Sequence, residues 1–529
     1  MFEFPQWTLL YWPWVLGLLL LLLLPRFVNS YRRHKALPPG PRGLPIVGNV
    51  LQVSPQRPWL DFERWAQEFG PIFSLNLAGQ TIIVLNTFKA ASDLLDRRSS
   101  IYSDRPQHIM AGEILTGGIA VLFMQNGSRL RRVRRAAHEG FNIRAVAKYH
   151  SVMAKEAALA TLRMSKDSEA WQAHVSRAAA SVIINATYGK PSLTDDDDSF
   201  VKKNHALGKR ITEAIIPLSY MVDVIPPLKY VPAGIAKWKR EGLEWYKETT
   251  KMLRGFVRDV EDEMREGHPS RCFTADLIEN KARHGLTDDE GAWLAGLLFL
   301  AGAETTTQAL FYFVQAMLLY PEVMRKAQFE IDEVVGRERP PSFDDQKNLP
   351  YIEAMIKEVL RWRTPAPMSV PHRVSEDDWY EGYLIPKGAT VITNVWTMHK
   401  DESLFPDHDE FKPERFLSGT PHDTHGIGNA SFGFGRRLCV GMNFANQMLF
   451  ISIATILWAL NIEAPLDEYG KPVLPDKDAF EEAGTTLFVI TFFCTVIIFT
   501  ITTTGRGPAP FRCKISLRFP DALPILQKA

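Results

Sequence analysis

Cysteine is scarce. Cys272, Cys439, Cys494 and Cys513 are the four among 529 residues, and they are scattered. So few, so widely spaced, exclude a disulfide scaffold and fit a reducing compartment. Net charge is nearly absent too, +1 from 61 basic and 60 acidic side chains, so nothing points to nucleic acid as a partner. Internal repeats are lacking. What remains is ordinary globular composition, 46% hydrophobic and 23% charged, with ample length for a large core.

Charge is missing altogether from two stretches. Trp7 to Leu24 is uncharged and ends in an unbroken leucine run from Leu18 to Leu24. It is just long enough to span a bilayer. Trp7, Trp12 and Trp14 suit an interfacial belt, and Arg26, Arg32, Arg33 and Lys35 follow while only Glu3 precedes. The positive-inside rule then places the body of the protein in the cytoplasm. A cleaved signal peptide would need a basic start and a small-residue cleavage site, and neither is present. Cytoplasmic placement makes the glycosylation sequons at Asn126, Asn185 and Asn429 chance matches. Pro38-Pro39-Gly40-Pro41-Arg42-Gly43-Leu44-Pro45 favours stiff extended backbone. The chain therefore divides into an anchor (1–30), a basic and Pro-rich hinge (31–48) and one large domain (49–529).

The domain is organised around Phe432-Gly433-Phe434-Gly435-Arg436-Arg437-Leu438-Cys439-Val440-Gly441. Gly433 and Gly435 permit turns that aim backbone N–H groups at an anion. The apolar run Met442 to Leu460 predicts a helix whose positive end lies beside Cys439. Arg436 and Arg437 add full charges. Together these are expected to lower the thiol pKa and keep the sulfur as thiolate. Such a thiolate is a nucleophile, a redox thiol or a metal ligand. No fixed histidine spacing suggests a base and no second cysteine is near. A single thiolate suits haem iron.

At this point a resemblance enters. Phe-Gly-x-Gly-x-Arg-x-Cys-x-Gly is similar at every fixed position to the haem-binding loop of the cytochrome P-450 monooxygenases. The resemblance implies a mainly α fold with a small β-rich lobe. It implies haem b (iron protoporphyrin IX) ligated by Cys439, with Phe432, Gly433 and Arg437 in the cofactor-binding set.

Leu286 to Met317 is the strongest helical pattern. Its middle, Ala301-Gly302-Ala303-Glu304-Thr305-Thr306-Thr307, places a glycine, an acid and three threonines inside an apolar helix. Threonine hydroxyls can bond back to carbonyls one turn earlier. Glu304 is costly in a core without partners. The segment resembles the family's Ala-Gly-x-Asp/Glu-Thr, which crosses the distal haem face. There Thr305 would hydrogen-bond dioxygen and Glu304 would join the proton relay.

Glu358 and Arg361, at i and i+3 on a predicted helix Glu353 to Arg363, share a face. Alone this spacing means a surface ion pair. With Pro413-Glu414-Arg415-Phe416 it resembles the family's buried Glu–Arg–Arg triad, giving Glu358, Arg361 and Arg415 a structural role around the haem loop. Pro371-His372-Arg373 begins a strand, and by resemblance His372 bonds a haem propionate. A surface-strand histidine is the plain alternative.

Arg129 to Arg135 is a basic cluster opening a helix. By resemblance Arg131 and Arg134 occupy the propionate-holding positions, although Leu130 stands where the family carries tryptophan. An exposed basic face also suits docking of an acidic electron donor. Tyr102 to Phe123 reads as a long loop, Tyr380 to Val391 as strand–turn–strand around Pro386-Lys387-Gly388. Ile215 to Trp238 is apolar and Pro-rich, which is ordinary core packing or, by resemblance, a segment dipping into the membrane.

The second uncharged stretch, residues 485–505, is rich in Thr, Ile, Val and Phe where relatives carry a short pocket loop. It reads as a β-hairpin, as a second membrane span, or as a translated unspliced intron. The last is favoured because its composition clashes with two in-pattern flanks.

The resemblance implies a monooxygenase acting on a lipophilic small molecule with dioxygen. Electrons would come from NADPH through NADPH-cytochrome P-450 reductase, with cytochrome b5 as a second donor, at the endoplasmic reticulum membrane. The motif flavour resembles fungal members of secondary metabolism, which oxidise terpenoids, polyketides or aromatic compounds. Two rivals remain: a haem-thiolate isomerase or dehydratase needing no dioxygen, against which intact Glu304-Thr305 argues, and a non-catalytic anchored protein if residues 485–505 block folding.

Overall fold

The computed structural model describes residues 35–45, 47–54, 56–194, 199–216, 219–267, 271–417, 430–480, 490–492, 495–497 and 507–528. The expected span Trp7 to Leu24 lies outside them, as does most of 485–505.

Helices form the bulk: α1 (Pro58–Phe69), α2 (Ser128–Phe141), α3 (His150–Lys166), α4 (Trp171–Tyr188), α5 (Lys237–Arg265), α6 (Asp288–Leu319), α7 (Pro350–Trp362) and α8 (Met442–Ala459) are the longer ones used below. A small lobe holds strands β1 (Ile72–Leu77), β2 (Gln80–Leu85), β3 (His372–Arg373), β4 (Asp378–Tyr380), β5 (Tyr383–Ile385) and β6 (Thr390–Thr393). Then come β7 (Leu460–Glu463), β8 (Ile490–Phe492), β9 (Thr495–Ile497) and β10 (Lys514–Leu517). The expected mainly α architecture with a β lobe is what forms.

Helix α6 is the central beam. Thr287 caps it: its hydroxyl accepts from the Glu290 amide at 3.2 Å, and the Glu290 carboxylate accepts from the Thr287 amide at 2.8 Å. Asp288, Asp289 and Glu290 complement the positive end, and Pro321 follows Tyr320 to stop the helix. The expected bounds shift by two residues at each end because the cap and the proline decide them. Gly302 lets α4 come close: a β-carbon there would lie 3.0 Å from Ile183 Cδ1. Helices α6 and α8 are each long and apolar enough to cross a membrane. Both pack into the main apolar cluster, with Trp458, Phe450, Phe313 and Met317 buried.

In the β lobe, β1 and β2 pair antiparallel, β2 and β6 parallel, and β6 and β3 antiparallel, with His372 opposite Val391. The expected strand–turn–strand over Tyr380 to Val391 forms, but its two strands do not pair with each other. Strand β5 pairs with β4, while β6 leaves for the other sheet. Gly388, at φ +85°, turns the chain between them. The expected loop Tyr102 to Phe123 is corrected. Ile109–Leu115 takes a wide helical turn with Met110, Ala111 and Leu115 fully buried. The Asp223 carboxylate accepts from the Ile109 and Met110 amides at 2.5 and 3.1 Å, a partner remote in sequence that no local pattern announces. Within 485–505, β8 and β9 pair antiparallel with Ile490 opposite Ile497, the hairpin arrangement.

Candidate functional site

The cysteine loop is pinned at its base before it turns. The Ala430 amide donates to His399 Nε2 at 2.8 Å, and Ser431 Oγ donates to the Leu360 carbonyl at 2.9 Å. The Cys439 amide closes the loop onto the Phe432 carbonyl at 2.9 Å. Gly433 and Gly435 sit at φ +75° and +57°. A β-carbon at Gly435 would stand 2.0 Å from the Leu95 carbonyl oxygen, so only glycine closes this turn. The Gly435 amide donates to Asp96 at 2.6 Å. Phe434 is buried in the β-lobe cluster, and half-buried Phe432 packs against the main one.

Cys439 is exposed yet enclosed by protein, so its sulfur faces an interior space and not bulk water. The expected low thiol pKa is corrected. Burial pushes it up, and the Gly441 and Met442 amides with Arg134 offset this only in part. Arg436 is exposed. Arg437 is spent elsewhere: it donates to the Ser103 carbonyl at 2.9 Å, to Val121 at 3.4 Å and to Met124. The cation that helps the sulfur is Arg134 from α2. It donates to the Leu438 carbonyl at 2.6 Å.

Four cationic or potentially cationic groups gather beside this loop. Arg105 donates through Nη1 to the Val370 and Pro371 carbonyls at 2.8 and 2.7 Å, while its buried Nε has no acceptor. His372 is buried, its Nδ1 2.7 Å from the Tyr102 carbonyl. Burial, then Arg437 and Arg134, pushes the Arg105 pKa well down. Burial and Arg134 bring Arg437 to about 10, with Asp104 opposing. Burial, then Arg105, holds His372 well below its usual range. None of the four makes an ion pair with a carboxylate among the described residues. The sequence reading missed Arg105, a lone arginine before Pro106 in a segment without periodicity. It also grouped Arg131 with Arg134, and the structure separates them: the Arg131 side chain is exposed and bonds nothing among the described residues.

On α6, Ala301 and Thr305 are exposed, one turn apart, in the middle of a helix otherwise packed. Thr305 Oγ1 donates to the Ala301 carbonyl at 2.8 Å, and Thr307 Oγ1 to Ala303 at 2.9 Å, the expected back-bonding. The Thr305 proton is thus committed and its lone pairs are open. Glu304 beside it is half-buried.

Glu358, Arg361 and Arg415 come together. Arg361 is bidentate on Glu358 at 2.6 and 2.8 Å, and Arg415 Nε joins at 3.1 Å. Glu358 is fully buried, and the Lys412 amide also donates to it at 2.8 Å.

The family model of cytochrome P-450 matches residues 38–479. The chain belongs to the cytochrome P-450 family of monooxygenases. It is 48% identical over 516 residues to cytochrome P-450 monooxygenase 58 of Postia placenta, covering 97% of this chain and 94% of that one. A cytochrome P-450 monooxygenase of Armillaria gallica is 42% identical over 510 residues, with 95% and 94% covered. The cytochrome P-450 monooxygenase iboC of Amanita muscaria is 34% identical over 517 residues, with 88% and 91% covered.

The family implies haem, and the residues present fit it. A haem carries two carboxylates, and the cluster of Arg105, Arg134, Arg437 and His372 forms no ion pair with a carboxylate among the described residues and leaves Arg105 Nε unbonded. Its iron needs an axial ligand, and Cys439 turns its sulfur inward.

Proposed function

We propose that the protein is a membrane-anchored haem-thiolate monooxygenase that oxidises a lipophilic small molecule, with secondary-metabolite biosynthesis in a fungus as its setting. The observation that carries the reading is Cys439 facing an interior space beside a cationic cluster that forms no ion pair with a carboxylate among the described residues. Bound there, haem supplies reductive activation of dioxygen, so that one oxygen atom enters the substrate and the other leaves as water.

The chain's own residues do the rest. Cys439 gives up its proton on ligation, assisted by the Gly441 and Met442 amides and Arg134. Arg105, Arg134, Arg437 and His372 hold the carboxylates and so fix the ring's orientation. Thr305 offers an acceptor pair on the exposed surface of α6, and half-buried Glu304, one residue before it, supplies protons to the relay. Glu358, Arg361 and Arg415 hold the base of the cysteine loop.

Electrons come from NADPH through a reductase, with cytochrome b5 as a second donor. Exposed Arg131, Arg135 and His138 on α2 suit an acidic donor surface. Met221, Val224, Ile225, Tyr230 and Ile235 are exposed apolar side chains within one short segment, which suits contact with a membrane and an endoplasmic reticulum anchor at Trp7 to Leu24.

The carbon monoxide difference spectrum of the reduced protein tests this, on the full chain and on one lacking residues 485–505. A strongly red-shifted Soret band in both, abolished by Cys439→Ser, is expected. A band only in the shorter chain keeps the reaction and indicts the insert. No band in either overturns the proposal.

A further inference from the structure

His372 carries a constraint that its neighbours impose. A carbonyl oxygen only accepts, so the 2.7 Å contact with Tyr102 makes His372 Nδ1 the donor. The neutral ring then holds its one proton on Nδ1, and Nε2 is left as a bare acceptor. It has no partner among the described residues. A bare acceptor cannot bond a carboxylate, which accepts as well. The Tyr102 contact is itself well held. Its phenol donates to Asp378 at 2.8 Å, Arg98 pairs with Asp378 at 2.8 Å, and the Arg373 amide donates to Asp104 two residues on at 2.8 Å. The ring cannot easily exchange this contact for another.

We propose that His372 takes up one proton as a haem carboxylate is seated, so that loading of the cofactor is proton-linked. This rests on the haem reading above. The balance is simple: a neutral imidazole, a carboxylate and one solvent proton become an imidazolium–carboxylate hydrogen-bonded pair. The charged groups facing His372 explain why the change waits for the ligand. Arg105 and Arg437 both oppose a positive ring, and burial does so most. Arg134 adds to the field on those arginines, while Asp104 faces Arg437. Two carboxylates brought among three arginines offset two of their three positive charges, and the carboxylate that bonds the ring favours its charged form. The folded ring's affinity for protons therefore rises only on binding. It follows that affinity is retained at low pH and is lost as pH rises through the pKa of the bound state.

Metal-free protoporphyrin IX isolates the effect, because it carries both carboxylates but no iron to displace the Cys439 proton. It is titrated into the haem-free full chain near pH 7.5 in weakly buffered solution with a pH indicator. The expected uptake is about one proton per porphyrin. With His372→Gln, whose amide donates without titrating, uptake per bound porphyrin falls to near zero. With protoporphyrin dimethyl ester and the wild-type chain, uptake also vanishes, which keeps the idea testable if the variant misfolds. Equal uptake by wild type and variant, or by acid and ester, overturns the inference and leaves the haem reading standing. Failure of the wild-type chain to bind either porphyrin or haem sinks both.

Discussion

Arg361 Nη1 donates to the carbonyl of His399 at 2.9 Å. Through this bond the buried ion pair of α7 reaches the cysteine loop, because the His399 ring in turn accepts from the Ala430 amide. His399 is held neutral in this position, since burial and Arg361 push its pKa to about 3. Glu358, Arg361, His399 and Ala430 thus form one chain of bonds from a helix to the loop that presents Cys439.

Glu358→Gln should break that chain at its first link. It leaves Arg361 and Arg415 charged beside a neutral amide in a buried site, a change that costs about 3–5 kcal/mol. Thermal unfolding of the variant should show this loss, and the purified protein should carry little haem. A variant that retains wild-type stability and haem content would refute the structural role.

Gly435→Ala and Gly441→Ala form a matched pair. At Gly435 the new methyl would sit 2.0 Å from the Leu95 carbonyl oxygen at a positive φ. At Gly441 it would meet only Cys439 Sγ, at 3.9 Å, an ordinary contact. The first should abolish the red-shifted carbon monoxide band and the second should keep it.

Arg105→Gln should weaken haem binding without unfolding the protein. A hydrogen bond to a charged group contributes about 1.5–3 kcal/mol, or roughly a 10- to 150-fold change in Kd. Haem transfer to apomyoglobin would measure it, with Arg131→Gln as a control expected to change nothing.

Thr305→Ala should leave the fold intact, since the side chain is exposed and its one bond is local. Product formation should fall about 100-fold, the scale of a lost proton-transfer group, while oxygen consumption continues and hydrogen peroxide accumulates. Measuring product and peroxide together per NADPH oxidised separates this from a simple loss of binding.

Spliced message sequenced across codons 480–508 should lack the codons for residues 485–505. The family model stops at residue 479, and Phe480 meets Pro508 in a β-bridge, so the two flanks already join without the run between them. Message that encodes the run would make the β8–β9 hairpin a native element.

The sequence by itself determined the elements whose signal is local. The apolar period of α6 and α8 states their helices within a few residues. The Phe432–Gly441 motif marks the cysteine loop. Glu358 and Arg361, one turn apart, state two of the triad's three members. Other features only the tertiary structure decided, because their causes lie far apart in the chain. Burial reversed the expected thiol pKa, since desolvation depends on what encloses Cys439 and not on the charges written next to it. Arg105 joined the site because the 100–125 segment folds over the cysteine loop. Arg131 left it because its side chain emerges exposed from α2. Asp223 wound Ile109–Leu115 into a turn, and Tyr102 chose which nitrogen of His372 keeps its proton.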